Sequence, residues 1–271
     1  MLNFISTPIG NLNDISLRAI NVIRSSEYLY AEDTRNAKKL LDFINIKTTC
    51  RSFHDHNEEK VSLEIIKKLK AKKIISVISD AGTPAISDPG YRLIRMCVEK
   101  NIKYTLIPGP SSVISALIMS GLPTDKFSFY GFAPRKQGEQ EIFFKNLNKD
   151  YKTSIFFETS VRIKKTLLNM RKNIDLDRCI SICKEMTKLH ESIIREKNSE
   201  IIEKIQKENI NLKGEFVIVI EGLKNQIIEF EINPKIKKEF LSKLSASDAA
   251  KLISCITGNN KRDIYKKLIE K

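Results

Sequence analysis

Short apolar runs alternate with amphipathic stretches along the first 122 residues. Runs at residues 2–6, 28–31, 74–78 and 104–107 predict strands, and the short β-branched run at 74–78 has the pattern of a strand buried on both faces of a parallel sheet. Between them, apolar residues recur at helical spacing over residues 15–23, 37–43, 58–69, 91–100 and 111–120. This alternation predicts a doubly wound parallel sheet covered by helices.

The alternation becomes looser after a Gly-Leu-Pro turn at residues 121–123. The pattern predicts strands at 127–132, 154–157, 178–183 and 216–220, and helices at 160–170 and 201–208. From residue 236 onward it predicts two or three short helices around a Gly-Asn-Asn turn at 258–260. The predicted fold class is therefore α/β, with an N-terminal α/β domain over residues 1–122, a second α/β domain over 123–232 and a small helical C-terminal extension over 233–271.

The loop at residues 79–91 joins a predicted buried strand to a helix and is dense in turn-forming residues. It is longer than the roughly two to six residues usual for such loops. Gly82 permits backbone conformations closed to other residues, Pro84 fixes φ, and Asp80 can accept hydrogen bonds. Because open α/β sheets bind ligands at the carboxyl ends of their strands, we expect a ligand site here.

Three further strand-to-helix junctions, at residues 6–11, 31–35 and 108–112, are also polar and rich in turn formers. Parallel strands direct all four loops to one edge of the sheet, which makes a shared ligand cleft the expected arrangement. Ser111 or Ser112 can cap the helix that follows or contact a ligand, and the sequence leaves both interpretations open.

The chain is strongly basic, with a formal net charge of +14 and a pI near 9.5. That balance suits a nucleic-acid partner, although a genome biased toward A and T would enrich lysine in the same way. No apolar run approaches the eighteen or so residues of a membrane span, and the first ten residues are too polar for a signal peptide, so we expect a cytoplasmic protein. The five scattered cysteines predict neither a disulfide framework nor a zinc site.

Two clusters of chemically active side chains lie outside the central loop. Residues 54–58, His-Asp-His-Asn-Glu, are compatible with metal binding but lack a matching further ligand set, so proton transfer or substrate hydrogen bonding is favoured for His54 and His56. Within residues 31–35, Arg35 suits a phosphate, while the same acidic and basic side chains are also compatible with a structural ion-pair network.

Taken in order, these motifs resemble those of the ribosomal RNA small subunit methyltransferase I family, a branch of the tetrapyrrole methylase superfamily. The resemblance covers essentially the whole chain, and Val161 and Lys184 stand where relatives often have histidine and arginine. The segments that carry it are residues 7–15, 31–35, 54–58, 79–84, 87–91, 108–112, 120–123, 131–134, 156–159, 185–188 and 213–215.

The resemblance implies a two-domain tetrapyrrole-methylase-like (class III methyltransferase) fold with the cofactor between the domains. It also implies S-adenosyl-L-methionine-dependent 2′-O-methylation of a cytidine in the decoding region of 16S rRNA, within the small ribosomal subunit, by a homodimer. The alternatives are a small-molecule, tetrapyrrole-type methyltransferase and a non-catalytic adenosylmethionine-binding module.

Residue chemistry supplies the candidates for catalysis and RNA binding, and the resemblance supplies those for cofactor binding. Our candidates for proton transfer and ribose orientation are Glu32, Asp33, His56 and Lys188, with the general base left open, and those for RNA binding are Arg35, His54 and Asn57; we predict no metal. The expected cofactor-binding residues are Pro8, Gly10, Asp80, Ala81, Gly82, Thr83, Pro84, Ser111, Ser112, Glu158 and Met186.

Overall fold

The first sheet holds five parallel strands in the order β3-β2-β4-β1-β5. The computed structural model of the chain describes residues 1–208, 210–223, 232 and 234–269. The predicted parallel sheet is confirmed, and β3 is a strand that the apolar pattern did not predict. The strands are β1 (Leu2–Ile5), β2 (Tyr28–Ala31), β3 (Cys50–Ser52), β4 (Ile75–Ile78) and β5 (Tyr104–Ile107).

Helices cover both faces of this sheet. They are α1 (Leu17–Ser25), α2 (Thr34–Phe43), α3 (Glu58–Lys70) and α4 (Tyr91–Glu99). Alternate strand residues face opposite ways: Leu29 and Ala31 pack with α1 and α2, whereas Tyr30 between them packs with α3 and α4. Burial on both faces is the reason why the inner strands β1, β2 and β4 are largely apolar, whereas the edge strand β5 exposes Tyr104 and Leu106.

The second sheet is mixed, in the order β6-β7-β10-β8-β9. Only β6 and β7 pair in parallel; the other neighbours are antiparallel. The strands are β6 (Phe127–Phe132), β7 (Thr153–Thr159), β8 (Cys179–Lys184), β9 (Ser192–Lys197) and β10 (Glu215–Ile220), and the helices that follow β5, β6, β7 and β9 are α5 (Ser112–Ser120), α6 (Gln137–Leu147), α7 (Ile163–Asn173) and α8 (Ile201–Lys207).

Helix α5 connects the two halves of the molecule. It follows β5 of the first sheet, but its residues Val113, Ala116 and Leu117 pack against Cys183 and Val217 of the second. The loop at its start is therefore held between both sheets, where a cleft can form. The division of the chain at residues 122 and 123 stays a prediction.

The predicted short C-terminal helices are present as three helices, which pack around a small apolar core. Its helices are α9 (Pro234–Lys243), α10 (Ala246–Thr257) and α11 (Lys261–Ile269). The predicted turn lies between α10 and α11, where Gly258 has a left-handed φ of +71°. Residues 224–231, 233, 270 and 271 of the predicted domains lie outside the described residues. Among the residues described, no helix is long and apolar enough to cross a membrane.

Candidate active site

The loop after β4 is held in place by the loop after β1. The Thr7 amide donates to the Gly82 carbonyl at 2.9 Å, and the Gly82 amide donates to the Thr7 carbonyl at 3.0 Å. The Ser79 hydroxyl also donates to the Gly82 carbonyl at 2.7 Å. Gly82 has a φ of +82°, a conformation that side chains with a Cβ rarely adopt. The two loops therefore form one rigid floor at the carboxyl edge of the sheet.

Asp80 attaches the loop after β2 to the same floor. Its Oδ1 accepts a hydrogen bond from the Asp33 amide at 2.9 Å, and its Oδ2 accepts one from the Asn36 side chain at 3.1 Å. Asp33 in turn forms an ion pair with Arg35 at 2.6 Å, and this contact lowers the pKa of Asp33 to about 2. The structural ion pair left open by the sequence is thus present, and it suppresses the basicity of Asp33.

Four carboxylates, those of Glu32, Asp55, Asp80 and Asp88, lie near one another around these loops. Burial raises the pKa of Asp88 to about 7, with repulsion from Glu32, Asp80 and Asp55 acting in the same direction. Glu32 also has a raised pKa, first because of burial and then because of Asp80. Asp88 Oδ2 is buried without a hydrogen-bond partner in the part of the chain that the structure describes. The cluster is therefore suited to a positively charged ligand.

The His-Asp-His-Asn-Glu segment shapes the loop between β3 and α3. Asn57 Oδ1 accepts from the His54 amide at 2.9 Å, and Asn57 Nδ2 donates to the Ser52 carbonyl at 3.2 Å, so the Asn57 side chain is engaged within the loop. His54 is half-buried and His56 is exposed. Glu58 accepts from the amides of Gly90 and Arg92, which anchors the end of the central loop.

Glu158 lies on the opposite wall, at the end of β7, and its side chain is fully buried. Its Oε1 accepts from the Thr159 amide at 2.7 Å and pairs with Arg162 at 2.8 Å, while Oε2 accepts from the Thr166 hydroxyl at 2.7 Å. The carboxylate is thus committed to the start of α7. Glu158 contributes to the site by shaping the wall.

A tight turn after β8 completes that wall. Glu185 Oε1 accepts from the Glu215 amide at 2.8 Å and from Lys188 Nζ at 3.0 Å, and Lys188 also pairs with Glu215 at 2.9 Å. Burial acts to lower the pKa of Lys188, but its pairing with Glu215 and Glu185 raises it. A Cβ on Gly214 would lie 2.6 Å from the Glu185 side chain, so glycine is required beside this ion-pair network.

The first loop of the N-terminal half touches this turn directly. A Cβ on Gly10 would lie 2.5 Å from Lys188 Cγ and 2.6 Å from the Thr187 hydroxyl. The Asn11 amide donates to the same hydroxyl at 3.1 Å. We call this contact, between residues 10–11 and 186–188, the clasp. It joins the loop after β1 to the turn after β8 of the second sheet.

The cleft encloses a cavity of about 490 Å³, within the range of small-molecule sites. Pro8, Gly10 and Pro84 do not line it, and neither do the catalytic candidates Glu32, Asp33, His56 and Lys188 or the RNA-binding candidates Arg35, His54 and Asn57. These residues belong to the loops around it. The predicted cofactor residues that line it are Asp80, Ala81, Gly82, Thr83, Ser111, Ser112, Glu158 and Met186.

Sequence reasoning missed a second group of lining residues. Some lie inside segments already recognised as motifs, and their presence there was the available signal. The others are apolar residues of strands and helices, which the sequence cannot distinguish from core residues. The missed residues are Ile9, Ile86, Ser87, Asp88, Val113, Phe132, Phe157, Thr159, Ser160, Cys183, Glu185, Gly214, Glu215, Phe216 and Val217.

Comparison with known proteins identifies the family. Residues 1–202 match the tetrapyrrole (corrin/porphyrin) methylases. The ribosomal RNA small subunit methyltransferase I of Pasteurella multocida is 37% identical over 268 residues, which are 98% of this chain and 95% of that protein. The chain belongs to the tetrapyrrole methylase family, in the ribosomal RNA small subunit methyltransferase I branch.

Other relatives of the family vary in extent. The protein of the same name from Thermotoga maritima is 40% identical over 221 residues, which are 82% of this chain and 98% of that protein. Among solved structures, diphthine synthase matches with a TM-score of 0.62 at 15% identity, over 81% of this chain and 89% of that chain. The match to diphthine synthase shows that this chain has the same fold as that protein. The predicted fold class is confirmed, and the chain is an S-adenosylmethionine-dependent methyltransferase.

The cavity of this tetrapyrrole methylase family member fits that cofactor. S-adenosylmethionine combines an apolar-faced base with a positively charged sulfonium and ammonium. Phe132, Phe157 and Phe216 offer apolar walls, and the carboxylates of Asp80 and Asp88 offer negative charge within a protein whose net charge is +14. Asp88 has a raised pKa and an Oδ2 atom without a hydrogen-bond partner among the described residues, so it is the carboxylate best suited to the positive charge of the cofactor.

Proposed function

We propose that the chain methylates the ribose 2′-hydroxyl of a cytidine in the decoding region of 16S rRNA, acting on the small ribosomal subunit as a homodimer. The observation that carries the proposal is near full-length similarity to ribosomal RNA small subunit methyltransferase I proteins, together with the cavity fit. The exposed Arg35 guanidinium supports an RNA acceptor, because its side chain lies on a loop of the cleft and is 87% accessible.

The bound cofactor supplies an already activated methyl group, so the chain mainly has to position the acceptor and handle one proton. Asp33 is a poor base because its pKa is lowered, and Lys188 stays protonated because its pKa is raised. Glu32 is half-buried and has a raised pKa. We therefore assign acceptance of the hydroxyl proton to Glu32, and we assign attraction of the cofactor's positive charge to Asp88.

The proposed reaction is tested by incubating the protein with labelled S-adenosylmethionine and small subunits that lack this modification, followed by mass-spectrometric mapping. The expected product is one ribose-methylated cytidine in the decoding region. Cofactor binding without RNA methylation would contradict the proposal and would redirect the search to a small-molecule acceptor.

The role of Glu32 is tested in the same assay with Glu32→Gln. We expect kcat to fall about 100-fold or more, because a neutral amide cannot accept the proton, while cofactor affinity is retained. Glu203→Gln changes an exposed glutamate on α8 and serves as the matched control. Equal kcat in both variants would exclude Glu32 as the base.

A further inference from the structure

The C-terminal unit carries a disproportionate share of the positive charge. Residues 234–269 contain nine Lys or Arg side chains and three Asp or Glu side chains, in a chain whose net charge is +14. All residues that line the cofactor cavity lie between positions 9 and 217. The charge of the C-terminal unit therefore serves something other than the lining of the cofactor site.

Helix α11 divides cleanly into a buried and a basic side. Ile264 and Leu268 are buried in the core of the unit, four residues apart on one face. The basic side chains of the helix are exposed, and none pairs with an acidic side chain among the residues that the structure describes. These exposed residues are Lys261, Arg262, Lys266 and Lys267.

The turn before α11 fixes the direction of this basic face. Gly258 ends α10 in the left-handed conformation, and the Ser254 hydroxyl donates to the Asn259 carbonyl at 2.7 Å. The Asn260 side chain accepts from the Arg262 amide at 2.8 Å, which caps the start of α11. The charges are thus presented on a hydrogen-bonded scaffold.

Helix α9 adds charge beside α11. Lys237 Nζ donates to the Lys267 carbonyl at 3.4 Å, in the last turn of α11, and Lys235 and Lys238 on the same helix are exposed. A cation at this end complements the helix dipole. The two helices meet at this hydrogen bond, and both carry exposed basic side chains.

The unit lies beyond the stretch that matches the family model, although near full-length relatives such as the Pasteurella multocida protein extend over it. The family match ends at residue 202, and the Thermotoga maritima relative, matched over almost its whole length, leaves part of this chain without a counterpart. The cavity-lining residues end at Val217, so none of them belongs to the C-terminal unit.

We propose that the C-terminal unit is an RNA-anchoring module, in which α11 and the adjacent lysines of α9 bind the sugar-phosphate backbone of the substrate RNA. The inference rests on the proposed function, which supplies RNA as the partner. Clustered lysines act as point charges and suit backbone contacts that position a substrate without reading its sequence. Arg262 adds a planar donor set that matches phosphate oxygens.

The test compares the full-length protein with the triple variant Arg262→Gln, Lys266→Gln, Lys267→Gln. The matched control is Lys164→Gln, Lys165→Gln, Lys172→Gln, which removes three exposed charges from α7. Filter binding to unmodified small subunits is measured from 50 to 200 mM salt, alongside methyl transfer and cofactor affinity.

We expect the α11 variant to bind subunits about tenfold more weakly at low salt and to lower the slope of log affinity against log salt by roughly two to three. Its cofactor affinity and its kcat at saturating subunit should equal those of the wild type. A second variant, Lys266→Arg with Lys267→Arg, keeps the positive charges and the native Arg262. It should bind small subunits as tightly as the wild type.

Equal losses in the α11 variant and the α7 control, or no loss in either, would overturn the proposal. Failure of the wild type to methylate subunits would instead count against the proposed function. The two failures are distinguishable because binding is measured without turnover.

Discussion

The raised pKa of Asp88 indicates what kind of ligand the cavity binds. It lines the cavity, it is crowded by Glu32, Asp80 and Asp55, and its pKa is raised to about 7. A carboxyl group with a raised pKa destabilises the fold when it ionises. A bound cation would remove that cost, so ligand binding and protonation of Asp88 oppose each other.

Cofactor affinity should therefore increase with pH. Between pH 6 and 7.5 we expect the Kd for S-adenosylmethionine to fall about tenfold, because ionised Asp88 attracts the positive charge and its pKa lies near 7. Asp88→Asn should bind more weakly and flatten this dependence. Calorimetric titration at constant ionic strength measures both, with the exposed Asp125→Asn as the control. An unchanged slope in Asp88→Asn would contradict the assignment.

Asp88 should affect folding stability in the opposite direction from cofactor affinity, so that stability decreases as pH rises. The pKa of Asp88 is higher in the folded state than in the unfolded chain, so its contribution favours folding at low pH and is lost as pH rises through about 7. Without cofactor, Asp88→Asn should raise the free energy of unfolding at pH 8 by about 1–2 kcal/mol, less than the full shift implies because water reaches the side chain. Denaturant unfolding at pH 5 and pH 8 tests this, and a gain at pH 5 alone would refute it.

At the scale of elements, the clasp joins a loop of the first sheet to a turn of the second. It depends on backbone approach at Gly10, where no side chain fits beside Thr187 and Lys188. The relative position of the two cavity walls is therefore set partly at a residue that does not line the cavity.

Gly10→Ala should separate the walls. We expect the free energy of unfolding to fall by about 1–3 kcal/mol and the Kd for S-adenosylmethionine to rise at least about tenfold, because the added methyl group overlaps neighbouring atoms. Gly138→Ala is the matched control: nothing lies within 4 Å of its added Cβ, and a helix gains from the change. Thermal melts and cofactor titration compare the two. Similar behaviour of both variants would show that the close approach is unimportant.

The elements that the sequence predicted are marked by apolar runs or helical spacing of apolar residues, and the elements that it missed lack such a pattern. Strands β1, β2 and β4 are buried on both faces and were visible as apolar runs, and the edge strand β5 was visible as a run although Tyr104 and Leu106 are exposed. Strand β3 contains only Cys50–Ser52, of which Arg51 and Ser52 are exposed, so no apolar run marks it. Strand β9 buries only Ile194 fully, and α6 follows a turn that hides its start. The same holds for the site. Polar motifs predicted the cavity wall formed by the loops of the first sheet, whereas apolar lining residues such as Phe157 look like core residues in the sequence.

At the scale of the whole molecule, charge is separated by function. The chain has a net charge of +14, yet carboxylates line its cofactor cavity and basic residues cover α11. A long-range field that attracts polyanions thus coexists with a local site for a cation.

This separation predicts two different salt responses. Raising salt from 50 to 200 mM should increase the KM for small subunits at least about tenfold, because several phosphate contacts are lost to counterions. The KM for S-adenosylmethionine should change no more than about twofold, since contacts inside a cavity are screened less. Steady-state kinetics with each substrate varied in turn decides the matter, and parallel responses would contradict the separation.

The carboxylates around the cavity also bear on turnover. Transfer of the methyl group converts the cofactor's sulfonium into an uncharged thioether, so the attraction that draws the cofactor in is reduced by the reaction itself. Asp88 then regains its raised pKa beside Glu32 and Asp80 and takes up a proton more readily. From the proposed role of Asp88 we expect the acidic cleft to favour exchange of spent for fresh cofactor and to limit product inhibition.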